Sequence, residues 1–195
     1  MKLLIIAGFL GSGKTTLLLE VARRLTAVSQ RIAIIENEVG EIGIDGEYLR
    51  QEGMQVQEIF GGCICCTLSA DLVLTLEKVE RLFQPDLTII EPTGLARPGD
   101  VVATVRGYAP MVTDILVLVL VDATRYEMLS EMLTPLLTAQ IQAADIVVIN
   151  KIDGVDGANI DLIAMNVGLL NAQAKVVAIS AEKRINLEPL LRELL

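Results

Sequence analysis

An apolar run, Lys2-Leu3-Leu4-Ile5-Ile6-Ala7, leads directly into Gly8-Phe9-Leu10-Gly11-Ser12-Gly13-Lys14-Thr15, and a helical pattern, Thr16 to Leu25, follows at once. The middle stretch has the spacing G-x-x-x-x-G-K-[ST], and the strand, loop, helix context is the one that spacing requires of a phosphate-binding loop. The glycines let the backbone wrap closely around an anion, because glycine tolerates the dihedrals such a wrap needs. The N–H groups and the positive end of the following helix then face the anion. In this arrangement Lys14 reaches the β- and γ-phosphates and Thr15 offers its hydroxyl to Mg²⁺. Gly8, Gly11, Ser12, Gly13, Lys14, Thr15 and Thr16 are therefore the candidate phosphate-side residues of a nucleotide site.

A loop of this kind sits at the end of a parallel strand, and the rest of the chain supplies the other strands. Arg31 to Glu36, Leu87 to Glu91, Asp114 to Asp122, Ile146 to Ile149 and Lys175 to Ile179 read as strands. Helices are expected over Leu68 to Phe83, where Leu72, Leu76, Val79 and Phe83 recur at helical spacing, and over Asp100 to Arg106. Others are expected from near Pro135 to Ala143, over Ala158 to Leu170 and over Leu187 to Leu195. A polar loop is expected from Asn37 to about Gly62, and a span that long is usually functional. The alternation predicts an α/β, three-layer P-loop NTPase fold with a mostly parallel sheet and helices on both faces. Its 195 residues suit a single domain, 1–195. With 52% apolar residues and only 3% aromatic, the core is built from Leu, Ile, Val and Ala, as buried parallel strands require.

The net charge of −9 argues against general nucleic-acid binding, which rests on basic patches. No apolar run is long enough to span a bilayer, and the N-terminal one is a strand rather than a signal peptide. A cytoplasmic protein is expected. The chain has no histidine, and its three cysteines, Cys63, Cys65 and Cys66, fall within four residues. They form no disulfide framework, which fits a reducing compartment.

Three further constellations carry chemistry. Asn150-Lys151-Ile152-Asp153 follows a strand, so the Asp153 carboxylate is placed to accept from N1–H and the 2-amino group of guanine, donors that adenine lacks at those positions. Ser180-Ala181, after the last strand, is a second candidate base contact through backbone N–H. Glu91-Pro92-Thr93-Gly94 puts a carboxylate at a strand end, able to hold Mg²⁺ through water or to orient an attacking water, with the Gly94 N–H able to sense the γ-phosphate. Gly61-Gly62-Cys63-Ile64-Cys65-Cys66 stands at the start of a predicted helix, which favours thiolates, and thiolates select ions such as Zn²⁺. Glu36, Glu38 and Glu41 are candidate fourth ligands. Buried inert cysteines and a thiol redox switch are the alternatives at this cluster.

With these pieces assembled, the chain resembles the CobW-type branch of the metal-handling P-loop GTPases, relatives of HypB and UreG. The resemblance rests on residues 8–16, 36–45, the C-x-C-C of 61–66, Glu-Pro-Thr-Gly-Leu-Ala-Arg-Pro at 91–98, and Gln140-Ile141 with Ala144-Asp145 and the Asn-Lys-x-Asp. It implies a GTPase whose GTP or GDP state gates delivery of a metal, Zn²⁺ or Co²⁺, to a client metalloprotein, or cofactor assembly within that client. By the family's motifs, Lys14, Thr15 and Glu91, with Gly94, serve phosphate, Mg²⁺ and hydrolysis. Asn150, Lys151, Asp153, Ser180 and Ala181 serve guanine. Cys63, Cys65 and Cys66, with Glu36 or Glu41, serve the delivered metal. A homodimer is also implied. Longer members carry a further C-terminal domain, frequently with a His-rich stretch, and this chain stops after the GTPase region. No obvious glutamine positions the attacking water, so slow intrinsic turnover is expected. The competing readings are a nucleotide-gated client-protein switch or corrinoid-enzyme chaperone with structural or redox cysteines, and a small-molecule kinase, which leaves Asn150 to Asp153 unexplained.

Overall fold

The computed structural model describes residues 1–27, 31–36 and 69–194, with the side chains of Glu36 and Ser69 excepted. Six strands form one sheet, in the order β2-β3-β1-β4-β5-β6: β1 (Lys2–Gly8), β2 (Ile32–Glu36), β3 (Leu87–Glu91), β4 (Asp114–Asp122), β5 (Ile146–Asn150) and β6 (Lys175–Ala178). Every pairing is parallel. Seven α-helices are described: α1 (Lys14–Ala27), α2 (Ser69–Phe83), α3 (Pro98–Tyr108), α4 (Tyr126–Met132), α5 (Thr134–Gln142), α6 (Gly157–Leu170) and α7 (Leu187–Leu194).

The strands are apolar throughout, yet their side chains divide strictly by position, since successive residues point to opposite faces. Leu4, Ile6, Ile34, Ile89, Leu118, Leu120 and Val148 pack beneath α1 and α7 with Leu17, Leu18, Val21, Leu190 and Leu191. Leu3, Ile5, Ala7, Ile35, Ile90, Val119, Val147 and Ile149 face the other way, under α2, α3, α5 and α6. Both faces are covered, which is why the strands read as continuous aliphatic runs.

Boundaries differ from the sequence reading where the tertiary structure adds a constraint. Helix α1 starts at Lys14 rather than Thr16, so Lys14 and Thr15 lie in its first turn. Helix α3 is longer than expected, beginning at Pro98, whose missing N–H costs nothing in a first turn, and ending at Tyr108. The short α4 and the 3₁₀ turns Ala123–Arg125 and Ile152–Gly154 had no periodic signal long enough to announce them. The long loop expected from Asn37 to about Gly62 lies outside the described residues.

Strand order changes direction around β1. β3 lies on one side of it and β4 on the other, so the crevice beyond the carboxyl ends of these strands is where an open α/β sheet binds a ligand. The register sets the polar strand ends in a row there. Glu36 pairs with Glu91, Gly8 with Leu120, and Asp122 with Asn150.

Candidate functional site

The phosphate loop occupies that crevice. Gly8, Gly11 and Gly13 all have positive φ, and Gly13 is pressed so closely that an added methyl would stand 2.3 Å from Asn150 Nδ2. The loop closes on itself through Ser12 N–H donating to Phe9 O at 3.1 Å. The N–H groups opening α1 have no carbonyl within the helix to satisfy them, and they carry the positive end of its dipole. The Ser12 hydroxyl is buried with no partner among the described residues.

Lys14 is buried, with Nζ 3.4 Å from Phe9 O and 3.7 Å from Glu91 Oε1. The Thr15 hydroxyl lies 3.1 Å from each oxygen of Glu91. A hard cation binding oxygens at about 2.1 Å in octahedral geometry holds adjacent ligands about 3 Å apart. Thr15 and Glu91 have that spacing and the all-oxygen character Mg²⁺ demands, so the residues present fit this ion.

The end expected to meet a base is equally assembled. Asn150 is buried and bridges two segments, donating from Nδ2 to Ser12 O at 2.8 Å and accepting at Oδ1 from Ala181 N–H at 3.0 Å. Asp153 Oδ2 pairs with Lys183 Nζ at 2.9 Å. The Ser180 hydroxyl and then Lys183 donate to this carboxyl and hold it below the usual carboxylate range, while the same pairing raises Lys183. Asp153 therefore remains an acceptor at neutral pH. A cavity of about 160 Å³ is lined by Gly13, Thr16, Thr124, Asn150, Asp153 and Ser180, among others.

The sequence reading missed the residue that ties the two sides together. Asp122 ends β4 and is buried. Its Oδ1 accepts from the Thr124 N–H (3.0 Å) and hydroxyl (2.7 Å), and its Oδ2 from Arg125 Nε and Lys151 Nζ (both 2.8 Å). Arg125 Nη2 then donates to Leu10 O at 2.8 Å, and Lys151 Nζ to Gly11 O at 2.6 Å. One carboxylate thus anchors two cations, and each cation holds one of two consecutive carbonyls of the phosphate loop. Lys151 adopts a left-handed backbone (φ 64), a conformation that persists only where its surroundings enforce it. Burial pushes the Asp122 carboxyl up, but hydrogen bonds from Lys151, Thr124 and Arg125 outweigh it and leave the group below its ordinary value. The available signal was an apolar strand ending in a charged residue, the same feature that marked Glu91.

Of the expected site residues, the structure brings Gly8, Gly11, Ser12, Gly13, Lys14, Thr15 and Glu91 together at one end. Thr16, Asn150, Asp153, Ser180 and Ala181 gather at the cavity, where Lys151 also lines the wall. Gly94 packs on the loop, where a methyl on it would stand 2.5 Å from Leu10 N. Glu36 ends β2 beside Glu91. Cys63, Cys65, Cys66 and Glu41 lie outside the described residues.

The all-parallel sheet, the phosphate loop at its switch point and the cavity beside Asn150 and Asp153 define a P-loop nucleotide-binding fold. The chain belongs to the CobW/HypB/UreG family: the model of that family's nucleotide-binding domain matches residues 2–178. It is 36% identical over 151 residues to the zinc chaperone YeiR of Escherichia coli, covering 76% of this chain and 46% of that protein. It is 34% identical over 186 residues to the zinc chaperone CobW of a Sinorhizobium species, covering 80% and 52%. The chain thus spans about half the length of the curated relatives it matches. Among solved structures, Zn(II)-bound YjiA of E. coli aligns with a TM-score of 0.64 at 28% identity, covering 91% of this chain and 57% of that one. The hydrogenase maturation factor HypB of Archaeoglobus fulgidus aligns over 100% of this chain and 88% of its own, with a TM-score of 0.74. At 22% identity that second likeness speaks for the fold alone. No helix among the described residues is long and apolar enough to cross a membrane.

Proposed function

We propose that this chain binds and hydrolyses GTP and couples its nucleotide state to the binding of zinc or cobalt and its delivery to, or cofactor assembly in, a client metalloprotein. The observation that carries the nucleotide half is the single crevice in which Lys14, Thr15 and Glu91 stand at one end and Asn150, Asp153, Ser180 and Ala181 at the other. Phosphates lie on the N–H groups that open α1, with Lys14 Nζ turning from Phe9 O toward them. Thr15 and Glu91 would hold Mg²⁺, which would supply positive charge to the phosphate oxygens. Asp153, kept ionised, accepts from guanine N1–H and the 2-amino group. Asn150 holds the base pocket and the phosphate loop in fixed relation. The metal half is supported by the zinc chaperones among the relatives and by the Cys63, Cys65, Cys66 cluster of the sequence, with Glu36 or Glu41 as further ligands.

The guanine assignment predicts a specificity change. Asp153→Asn presents an amide where two donors must be met, so guanine nucleotide affinity falls by about a hundredfold or more. Xanthine nucleotides, whose N2 amino group is replaced by a carbonyl, gain affinity in the same variant. Equilibrium competition with fluorescent nucleotides measures both; unchanged guanine preference in Asp153→Asn removes this residue from base recognition.

The coupling is tested by anaerobic Zn²⁺ and Co²⁺ titration of the reduced protein against a chromophoric chelator, with no nucleotide, with GDP, and with a non-hydrolysable GTP analogue, all with Mg²⁺. The expected result is a change in metal affinity of about fivefold or more between the GDP and GTP states, equivalent to roughly 1 kcal/mol of coupling. Equal affinity in all three states refutes nucleotide-gated delivery.

A further inference from the structure

Gln140 lies on α5, outside the residues assigned above, and is fully buried. Its Nε2 donates to Ala96 O at 2.9 Å and to Gly94 O at 3.3 Å. Only the amide nitrogen can meet two carbonyls, so this side-chain orientation is chemically determined. Its Oε1 has no partner among the described residues, and a buried acceptor left unpaired is costly. The amide is therefore kept in place by what its nitrogen holds.

What it holds is the segment between β3 and α3. That segment starts at Glu91, which receives Lys14 and Thr15, and turns through Ala96 N–H donating to Thr93 O at 3.0 Å. Gly94 lies between two constraints. On one side is Gln140. On the other is the Phe9–Leu10 peptide of the phosphate loop, so close that an added methyl would stand 2.5 Å from Leu10 N and 3.1 Å from Phe9 C. Leu95 beside it is exposed and contributes no burial that would hold Gly94 inward.

We propose that Gln140 is a positioning residue that seats the Gly94 peptide on the phosphate loop, and that this seating lets the site distinguish a nucleoside triphosphate from a diphosphate. The proposal rests on the guanine-nucleotide reading above. A diphosphate is held by the loop and by Lys14, and does not need Gly94. A third phosphoryl group extends to where the Glu91 segment meets the loop, so its binding depends on that segment staying in place.

Two variants test this. Gln140→Leu keeps the bulk and removes the donor; Gln140→Glu keeps the shape and replaces the donor with an acceptor. Each is measured for GDP and non-hydrolysable GTP analogue affinity with Mg²⁺, and for amide hydrogen exchange without nucleotide. The expected result is affinity for the GTP analogue weakened by about tenfold, the worth of one or two buried hydrogen bonds, with GDP affinity within about twofold of the parent. Exchange accelerates at residues 95–97 and is unchanged in β5. Equal weakening of both nucleotides, or no change in either, overturns the proposal. If the parent protein binds neither nucleotide, the functional reading itself fails. The exchange measurement still decides the seating of Gly94 by Gln140, because unaltered exchange at 95–97 in Gln140→Leu overturns it.

Discussion

Asp122→Ala is expected to destabilise the protein by about 1–3 kcal/mol, the cost of leaving the groups that a buried acceptor satisfied without their partner. The effect is large because the carboxylate is buried and accepts four hydrogen bonds, two from Thr124 and one each from Arg125 and Lys151. Its loss leaves two cations facing each other across the cavity it vacates, with their grip on Leu10 O and Gly11 O undone. Nucleotide affinity should fall with stability. Urea unfolding at constant m-value measures the first, and fluorescent nucleotide titration the second. A loss under about 1 kcal/mol would place Asp122 among ordinary surface ion pairs.

The same group sets a pH dependence. The folded-state carboxyl of Asp122 titrates below its usual value of 3.8, so its contribution is fully present above that value and is lost as pH falls through the lower, folded one. The stability of the parent protein should therefore drop steeply below about pH 4, with part of that drop missing in Asp122→Ala. Melting temperatures of both proteins across acid pH give the comparison. Parallel curves would assign the acid sensitivity to other carboxylates.

Lys14→Ala is expected to weaken nucleotide binding by about a hundredfold or more and to abolish measurable hydrolysis, since a charged donor to a phosphate is among the strongest single contacts available. The magnitude is raised by Glu91, 3.7 Å from Lys14 Nζ, because without the ammonium an uncompensated carboxylate faces the phosphates. The fold should tolerate the change, because the Thr15 hydroxyl still donates to Glu91. Isothermal titration with GDP and the GTP analogue, alongside single-turnover hydrolysis, tests this. Parent-like turnover in Lys14→Ala would remove the residue from its assigned role.

The signals that could be read without coordinates were local ones. The phosphate loop is contiguous, and its glycines and Lys14-Thr15 express their function within eight residues. Asn150 to Asp153 is also contiguous, and strands buried on both faces announce themselves as aliphatic runs whatever order they take in the sheet. Fold class followed from these, as did the residues of the two ends of the candidate nucleotide site. What the sequence could not reveal is held by contacts between distant segments. Asp122 joins Arg125 and Lys151 to Leu10 and Gly11 across more than one hundred residues of chain, and Gln140 reaches back 46 and 44 positions to Gly94 and Ala96. A polar residue ending an aliphatic strand, or buried on a short helix, carries no local mark of its partner. The parallel register that sets Asp122 beside Asn150, and the packing of α5 over the segment after β3, choose those partners, because hydrogen bonds in a buried crevice are decided by distance in space and not along the chain.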